Sequence, residues 1–411
     1  MTVGEDGRIR GIGPGDPRPR PPAGRVLDVG GAIVAPGFVS AHSHLFTSGS
    51  RGLGTDQSLY GWIDAMTRYT RRCRQDDVYW LTRHGALDFL GNGVTTAFDF
   101  TDGGLEFLPE SAGTASFATG VPPAAYQHAQ LRTKVDAGIR YVHSVMPAQT
   151  LDERAVLDHL DEVVGLARPF EPHPCHLGMA ISGTVQWAGD ERSAALELAG
   201  MRRHGLINQP HLLETPYEVE AQREKFAWYR RAGALGPDLV FGHFVHATDE
   251  IMVAAADAGC GAVWQPTSNG RLASGIADVP RWRELGMRVG VGLDDQACTD
   301  LSDPFQNMRM GIYLLRAARR DSAAMGVVDM LDLHTLGSAE VLGIQRDVGS
   351  LEVGKYADFL VVDPRRPDTG PVWDAYGTYV LACGLRNLRQ VFVGGRLVSE
   401  EGRLVDAGAE E

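Results

Sequence analysis

Eight short apolar runs, separated by longer stretches of helical periodicity, constrain this chain more than any other feature. They are Ala32 to Ala41, Val94 to Phe100, Ile139 to Val145, His176 to Ile181, Leu206 to Pro210, Leu239 to Gly242, Gly261 to Trp264 and Arg288 to Leu293. Helical patterns such as Asp77 to Leu90, Arg192 to Arg203 and Asp249 to Ala258 fall between them, with acidic residues near their starts. Strands that alternate with helices form a parallel sheet, because each parallel neighbour is reached through a crossover. Eight is the number at which such a sheet closes. The predicted fold is therefore α/β, a (β/α)8 TIM barrel, and 411 residues hold a barrel of about 250 residues or more plus a smaller unit.

After Gly343 the pattern changes to short strands and tight turns, at Gly349 to Gly354, Ala357 to Asp363 and Gln390 to Val398. Near the start, Asp6 to Gly13 reads as a strand and the Pro-rich Gly15 to Pro22 as a loop. Residues 1–34 and 344–411 are expected to form a small composite β-sandwich-like domain, and 35–343 the barrel.

A formal net charge of −13 repels a phosphate backbone, and no segregated basic patch offsets it, so nucleic acid is not an expected partner. No apolar run approaches the roughly 18 residues of a membrane span, and no leader pattern is visible, so a soluble protein without membrane contact is expected. The five cysteines (Cys73, Cys175, Cys260, Cys298, Cys383) are odd in number, widely spaced and without a C-x-x-C pair. That argues for a reducing cytoplasm and against a disulfide framework or a thiolate zinc site.

Histidines and carboxylates close several of the apolar runs. His42 and His44 end the first, and residues two apart in an extended chain share a face. His211 and Glu214 follow the fifth run, His243 the sixth and Asp294 the eighth. Any one of these could be a hydrogen-bonded core residue or a capped surface one. Gathered at the C-terminal ends of different strands, they match the way a barrel assembles an active site. Three neutral imidazoles and a carboxylate suit Zn²⁺, with Fe²⁺ or another first-row ion left open by ligand type. Such an ion makes a water acidic enough to attack near neutral pH, and Glu214 is the carboxylate expected to move the protons.

With these residues in place, the sequence resembles the cytosine deaminase, S-adenosylhomocysteine deaminase and triazine hydrolase branch of the amidohydrolase superfamily. Beside the H-x-H and H-x-x-E, the resemblance rests on Arg51-Gly-Leu with Trp62, His246-Ala-Thr-Asp-Glu-Ile251, Pro266-Thr-Ser-Asn269 with Ser274-Gly-Ile276, and Gly349 to Asp358. It implies that His42, His44, His211 and Asp294 bind the metal. It further implies that Glu214 carries a proton from the attacking water to a ring nitrogen, that His243 steadies charge on the attacking oxygen, and that Asp294 helps protonate the leaving amine. Relatives with two metals bridge them through a carboxylated lysine on the fourth strand. Cys175 to Gly183 contains no lysine, and only Lys134, Lys225 and Lys355 occur anywhere, so a single ion is expected.

The implied reaction is hydrolytic deamination of an aminated heterocycle. A chlorohydrolase or a cyclic amide or imide hydrolase using the same site is the alternative, and a non-catalytic scaffold the more distant one. A deaminase of the cytidine type is excluded, because its H-x-E and P-C-x-x-C are both absent. Two departures bear on the small-molecule substrate. Tyr60 stands where nucleoside-deaminating relatives have a ribose-binding Glu, and Ile181 to Trp187 replaces their Pro-His-Ala/Ser-Pro-Tyr motif. Losing that polar grip points away from adenosine-type substrates and toward a flatter, more apolar ring. Trp62, Tyr60, Gln186, Trp187 and Asp295 are candidate substrate contacts, each with ordinary packing or capping as its other reading. His128, His143 and His246 read as structural. Relatives are often dimers or larger, so a homo-oligomer is expected.

Overall fold

The computed structural model describes residues 1–14, 24, 26–111 and 114–405. The Pro-rich stretch 15–22 lies outside the described residues.

Eight parallel strand positions close on themselves. In order they are Phe38–His44, Val94–Phe100, Arg140–Val145, His176–Ile181, a fifth in two pieces (Ile207–Asn208 and His211–Leu212), Val240–His243, Gly261–Trp264, and an eighth in two pieces (Arg288–Val291 and Asp294–Asp295). The fifth pairs with the fourth through its first piece (Ile207 with Ala180) and with the sixth through its second (His211 with Gly242). The eighth likewise pairs first with the seventh and then, at Asp294 and Asp295, with Ser43 and His44 of the first. Each break hands the sheet from one neighbour to the next, and so closes the barrel. Pro210, which has no N–H to give a ladder, explains the break in the fifth strand.

Val39, Ala41, Phe98, Phe100, Val142, Ala180, Val240 and Val263 belong to one buried cluster inside the barrel, a filled core of alternating inward residues. Helices including Gln75–Gly91, Ala124–Ala137, Glu153–Ala167 and Arg192–His204 cover the outside. Between wall and helices lies a buried polar network. Lys134 Nζ donates to Asp99 Oδ2 at 2.6 Å and meets His143 Nδ1 at 2.8 Å, while His143 Nε2 reaches Gln127 Oε1 at 2.9 Å. His143 is thus held in the wall.

The first apolar run is not one strand. Pro36-Gly37 divides it: Ile33–Pro36 pairs antiparallel with Phe359–Val362, and Phe38–His44 enters the barrel. The sheet that receives Ile33–Pro36 has five strands, the others being Phe359–Val362, Leu388–Val393, Arg396–Glu400 and Arg403–Leu404, so residues from both ends of the chain share it. A hairpin of Thr2–Val3 and Ile9–Gly11 contributes Ile9 to a core with Phe359, Val361 and Phe392. The opposite face, with Leu360, Val391 and Val393, joins the main core of the barrel. Gly349 to Gly354, expected as strand and turn, contains no strand. A buried ion pair ties the units together: Arg140 of the third barrel strand grips Asp358 through both Nε (2.5 Å) and Nη2 (2.9 Å).

Candidate active site

The two strand breaks deliver His211 and Asp294 to the C-terminal mouth of the barrel, where His42 and His44 end the first strand. His211 Nε2 lies 3.2 Å from His44 Nε2, which lies 3.4 Å from His42 Nε2. Asp294 Oδ1 is 3.5 Å from Nε2 of His42 and 3.5 Å from Nε2 of His44. His243 Nε2 stands 3.6 Å from Glu214 Oε2 and 3.8 Å from Asp294 Oδ2. Several strand-end residues reach this point through left-handed backbone: Leu213 (φ 57°), His243 (φ 66°), Phe244 (φ 52°) and Asp294 (φ 64°). Non-glycine residues pay for that conformation, and its concentration at one mouth marks a site over-determined by its surroundings. Gly292 and Gly242 make room for His42, since a Cβ on either would lie 2.6 Å and 2.9 Å from that residue.

The donor chemistry fits a cation. His42 Nδ1 donates to Gln209 Oε1 at 2.6 Å, which leaves Nε2 turned toward the cluster. Gln209 is itself fixed by donating to the Ala41 carbonyl at 3.0 Å. Such an outer partner is what orients a ligating imidazole. Burial, with the neighbouring His42, drives His44 down to about 3 and His211 well below its ordinary value. Burial thus favours the neutral form of both rings, which is the form that ligates a metal. Burial works to raise Asp294, but the His42 contact and the surrounding imidazoles hold it well below the usual carboxylate range. It remains the site's anion. Glu214 is the opposite case, pushed well above that range by burial and then by the charge of Asp294. Two adjacent carboxyls held apart in this way form an acid–base arrangement.

A cavity of about 450 Å³ opens over the cluster, with His44, His211, Glu214, His243, Asp294 and Asp295 in its floor. Trp62 and Trp187 line it; Trp62 Nε1 donates to the Ala297 carbonyl at 3.3 Å, and the Trp187 ring sits 5.3 Å from that of His211. Burial and the adjacent Asp294 push Asp295 well above the carboxylate range. Tyr60 and Gln186 are placed differently. They line a neighbouring cavity of about 660 Å³, with Trp187 on the wall between the two.

The Amidohydrolase family model matches residues 33–398, which include every residue of this cluster. The chain belongs to the amidohydrolase family. It is 31% identical over 398 residues to the 5-methylthioadenosine/S-adenosylhomocysteine deaminase of Syntrophobacter fumaroxidans, covering 95% of this chain and 85% of that one. Its fold is shared with a zinc-bound adenosine deaminase from Xanthomonas campestris (TM-score 0.78, 21% identity, 92% of this chain and 84% of that one). It is shared equally with the zinc complex of the atrazine chlorohydrolase TrzN from Arthrobacter aurescens (TM-score 0.76, 21% identity, 92% and 86%).

Within this amidohydrolase, sequence reasoning passed over the residues that orient the cluster. Gln209 precedes Pro210-His211, a position that gave no sign of reaching back to the first strand. Phe100, read only as a strand residue, stacks on His44 at 4.7 Å and 16°. Cys298 lines the cavity and donates to the Asp295 carbonyl at 3.3 Å. Of the histidines expected to be structural, His246 Nε2 bonds the Ser274 carbonyl at 2.7 Å, and His128 packs near Phe170. All five cysteines are free.

Proposed function

We propose that this amidohydrolase is a hydrolytic deaminase that converts the C–NH2 of an aminated heterocycle to C=O with release of ammonia. His42, His44, His211 and Asp294 hold one divalent ion, Zn²⁺ in preference to Fe²⁺. The observation that carries this reading is the convergence of three imidazole nitrogens and one carboxylate on a single point under a cavity. When bound, the ion supplies the Lewis acidity that makes water a nucleophile at neutral pH.

The chain's own residues divide the proton work. Glu214, raised by burial, takes a proton from the attacking water and passes it to a ring nitrogen of the substrate. His243 faces the same space and steadies charge on the attacking oxygen. Asp294 assists proton delivery to the leaving amine. Trp62 and Trp187 flank the ring, Asp295 meets its polar edge, and Tyr60 and Gln186 bound the cavity from the adjoining one. The aromatic walls favour a flat ring. Similarity to 5-methylthioadenosine/S-adenosylhomocysteine and 5'-deoxyadenosine deaminases favours deamination over the dechlorination of the triazine hydrolases.

No helix among the described residues is long and apolar enough to cross a membrane. Free cysteines accord with a cytoplasmic enzyme, acting as a homo-oligomer on a small molecule. The test is a panel of aminated purines, pyrimidines, pterins and triazines with the zinc-loaded enzyme, recording ammonia, chloride and ring-opened acid separately. Ammonia from at least one ring is expected. Chloride or acid without ammonia would replace deamination by the corresponding hydrolysis, and silence across the panel would defeat the deaminase reading.

A further inference from the structure

The two ring nitrogens of His243 face different surroundings, and the position of the proton decides what the ring can do. Nε2 points into the mouth toward Glu214 and Asp294, with no hydrogen-bond partner of its own. Nδ1 lies 3.0 Å from Nδ2 of Asn269, a fully buried side chain on the short helix Pro266–Arg271. We propose that Asn269 is a positioning residue that holds His243 as its Nε2–H tautomer, so that the ring acts as a hydrogen-bond donor at the reacting centre. The purpose of this device rests on the hydrolase reading, but its test does not.

Two independent observations select this tautomer. With the Asn269 amide oriented as in the structure, Nδ2 donates, which leaves a bare lone pair on Nδ1 and puts the proton on Nε2. On the other side of the ring, Nε2 faces oxygens of two carboxyl groups, Glu214 and the anionic Asp294, at 3.6 and 3.8 Å. A lone pair there would oppose the charge of Asp294, whereas an N–H is attracted by it.

The helix braces the residue twice. Gln265, the residue before that helix, accepts from the backbone N–H of His243 at 3.1 Å, where the chain is held at φ 66°. Asn269, one turn later, takes the ring. The backbone brace fixes where the side chain starts, and the amide fixes which nitrogen carries hydrogen. Burying an amide costs free energy unless its groups are paired, and the oxygen of Asn269 has no partner. The bond to His243 is the side chain's return on that cost.

The proposal is tested on the full-length, zinc-loaded enzyme labelled with ¹⁵N-histidine, by long-range ¹H–¹⁵N correlation of the imidazole nitrogens. His243→Gln identifies the resonances by their loss. The wild-type spectrum is expected to show Nδ1 of His243 in the unprotonated range and Nε2 in the protonated range. In Asn269→Asp a carboxylate replaces the donor, and Nδ1 is expected to shift into the protonated range. A wild-type ring protonated on Nδ1, or an Asn269→Asp spectrum identical to wild type, would overturn the proposal. Should the variant not fold, the wild-type spectrum alone decides. Absence of ammonia from every amine tested would sink the deaminase reading and leave these resonances unchanged, so the two failures are separable.

Discussion

Two buried polar clusters of the barrel, one in its wall and one at its mouth, both combine histidine with carboxylates. In the wall, Lys134 neutralises Asp99, which also accepts from the Leu45 N–H at 3.0 Å. His143 spans Lys134 and Gln127, and Thr101 donates to Gln127 Oε1 at 2.8 Å. Burial lowers Lys134 while the Asp99 charge and hydrogen bond act to raise it, so each charge has its counterpart. At the mouth, imidazole nitrogens face one another, Glu214 and Asp295 crowd Asp294, and Nδ1 of His211, Nε2 of His243 and Oδ1 of Asp295 have no partner. A satisfied network holds a fold together, whereas an unsatisfied one of equal burial is retained for what it binds. Burial alone does not separate the two, but completeness of pairing does.

The comparison breaks first at His211. Replacement by Ala is expected to abolish bound metal and bring turnover to background, while the apoprotein stays folded, because the wall network is untouched. Metal analysis and calorimetry on the same preparation check both halves. Glu214→Gln should keep the metal and lower kcat about 10²–10⁴-fold, the usual weight of a general acid–base group. The wall should respond in the opposite sense. Lys134→Met strands a buried carboxylate, and urea unfolding should register a loss of about 3–5 kcal/mol with kcat per folded molecule unchanged. The smallest effect is expected for Gln209→Leu, which frees the His42 ring and should weaken metal affinity about 10–100-fold without loss of the fold. Competition with a chelator measures that shift.

The periodicity of the sequence carried the barrel well, because parallel strands buried on both faces read as near-continuous apolar runs. It failed at Pro36-Gly37, where two strands of different sheets abut and their apolar residues merge into one run. The ends of the strands were legible because His42, His44, His211, His243 and Asp294 each interrupt an apolar stretch. The left-handed turns at His243 and Asp294 were not, since neither residue type announces such a backbone. Gln209 and Asn269 were equally silent as partners: Gln209 reaches the first strand and Asn269 the end of the neighbouring sixth, and a lone sequence holds no record of that proximity. Tyr60 and Gln186 show the same limit for substrate contacts, as loop shape sends them to the adjoining cavity.

Titration of metal-free protein with zinc, followed by isothermal calorimetry, addresses the central claim most directly when wild type, His211→Ala and Lys134→Met are run side by side. One ion per chain is predicted for wild type and for Lys134→Met, and none for His211→Ala over the same range. Equal uptake by His211→Ala and wild type, or no uptake by wild type, would contradict the assignment of the mouth cluster as the metal centre.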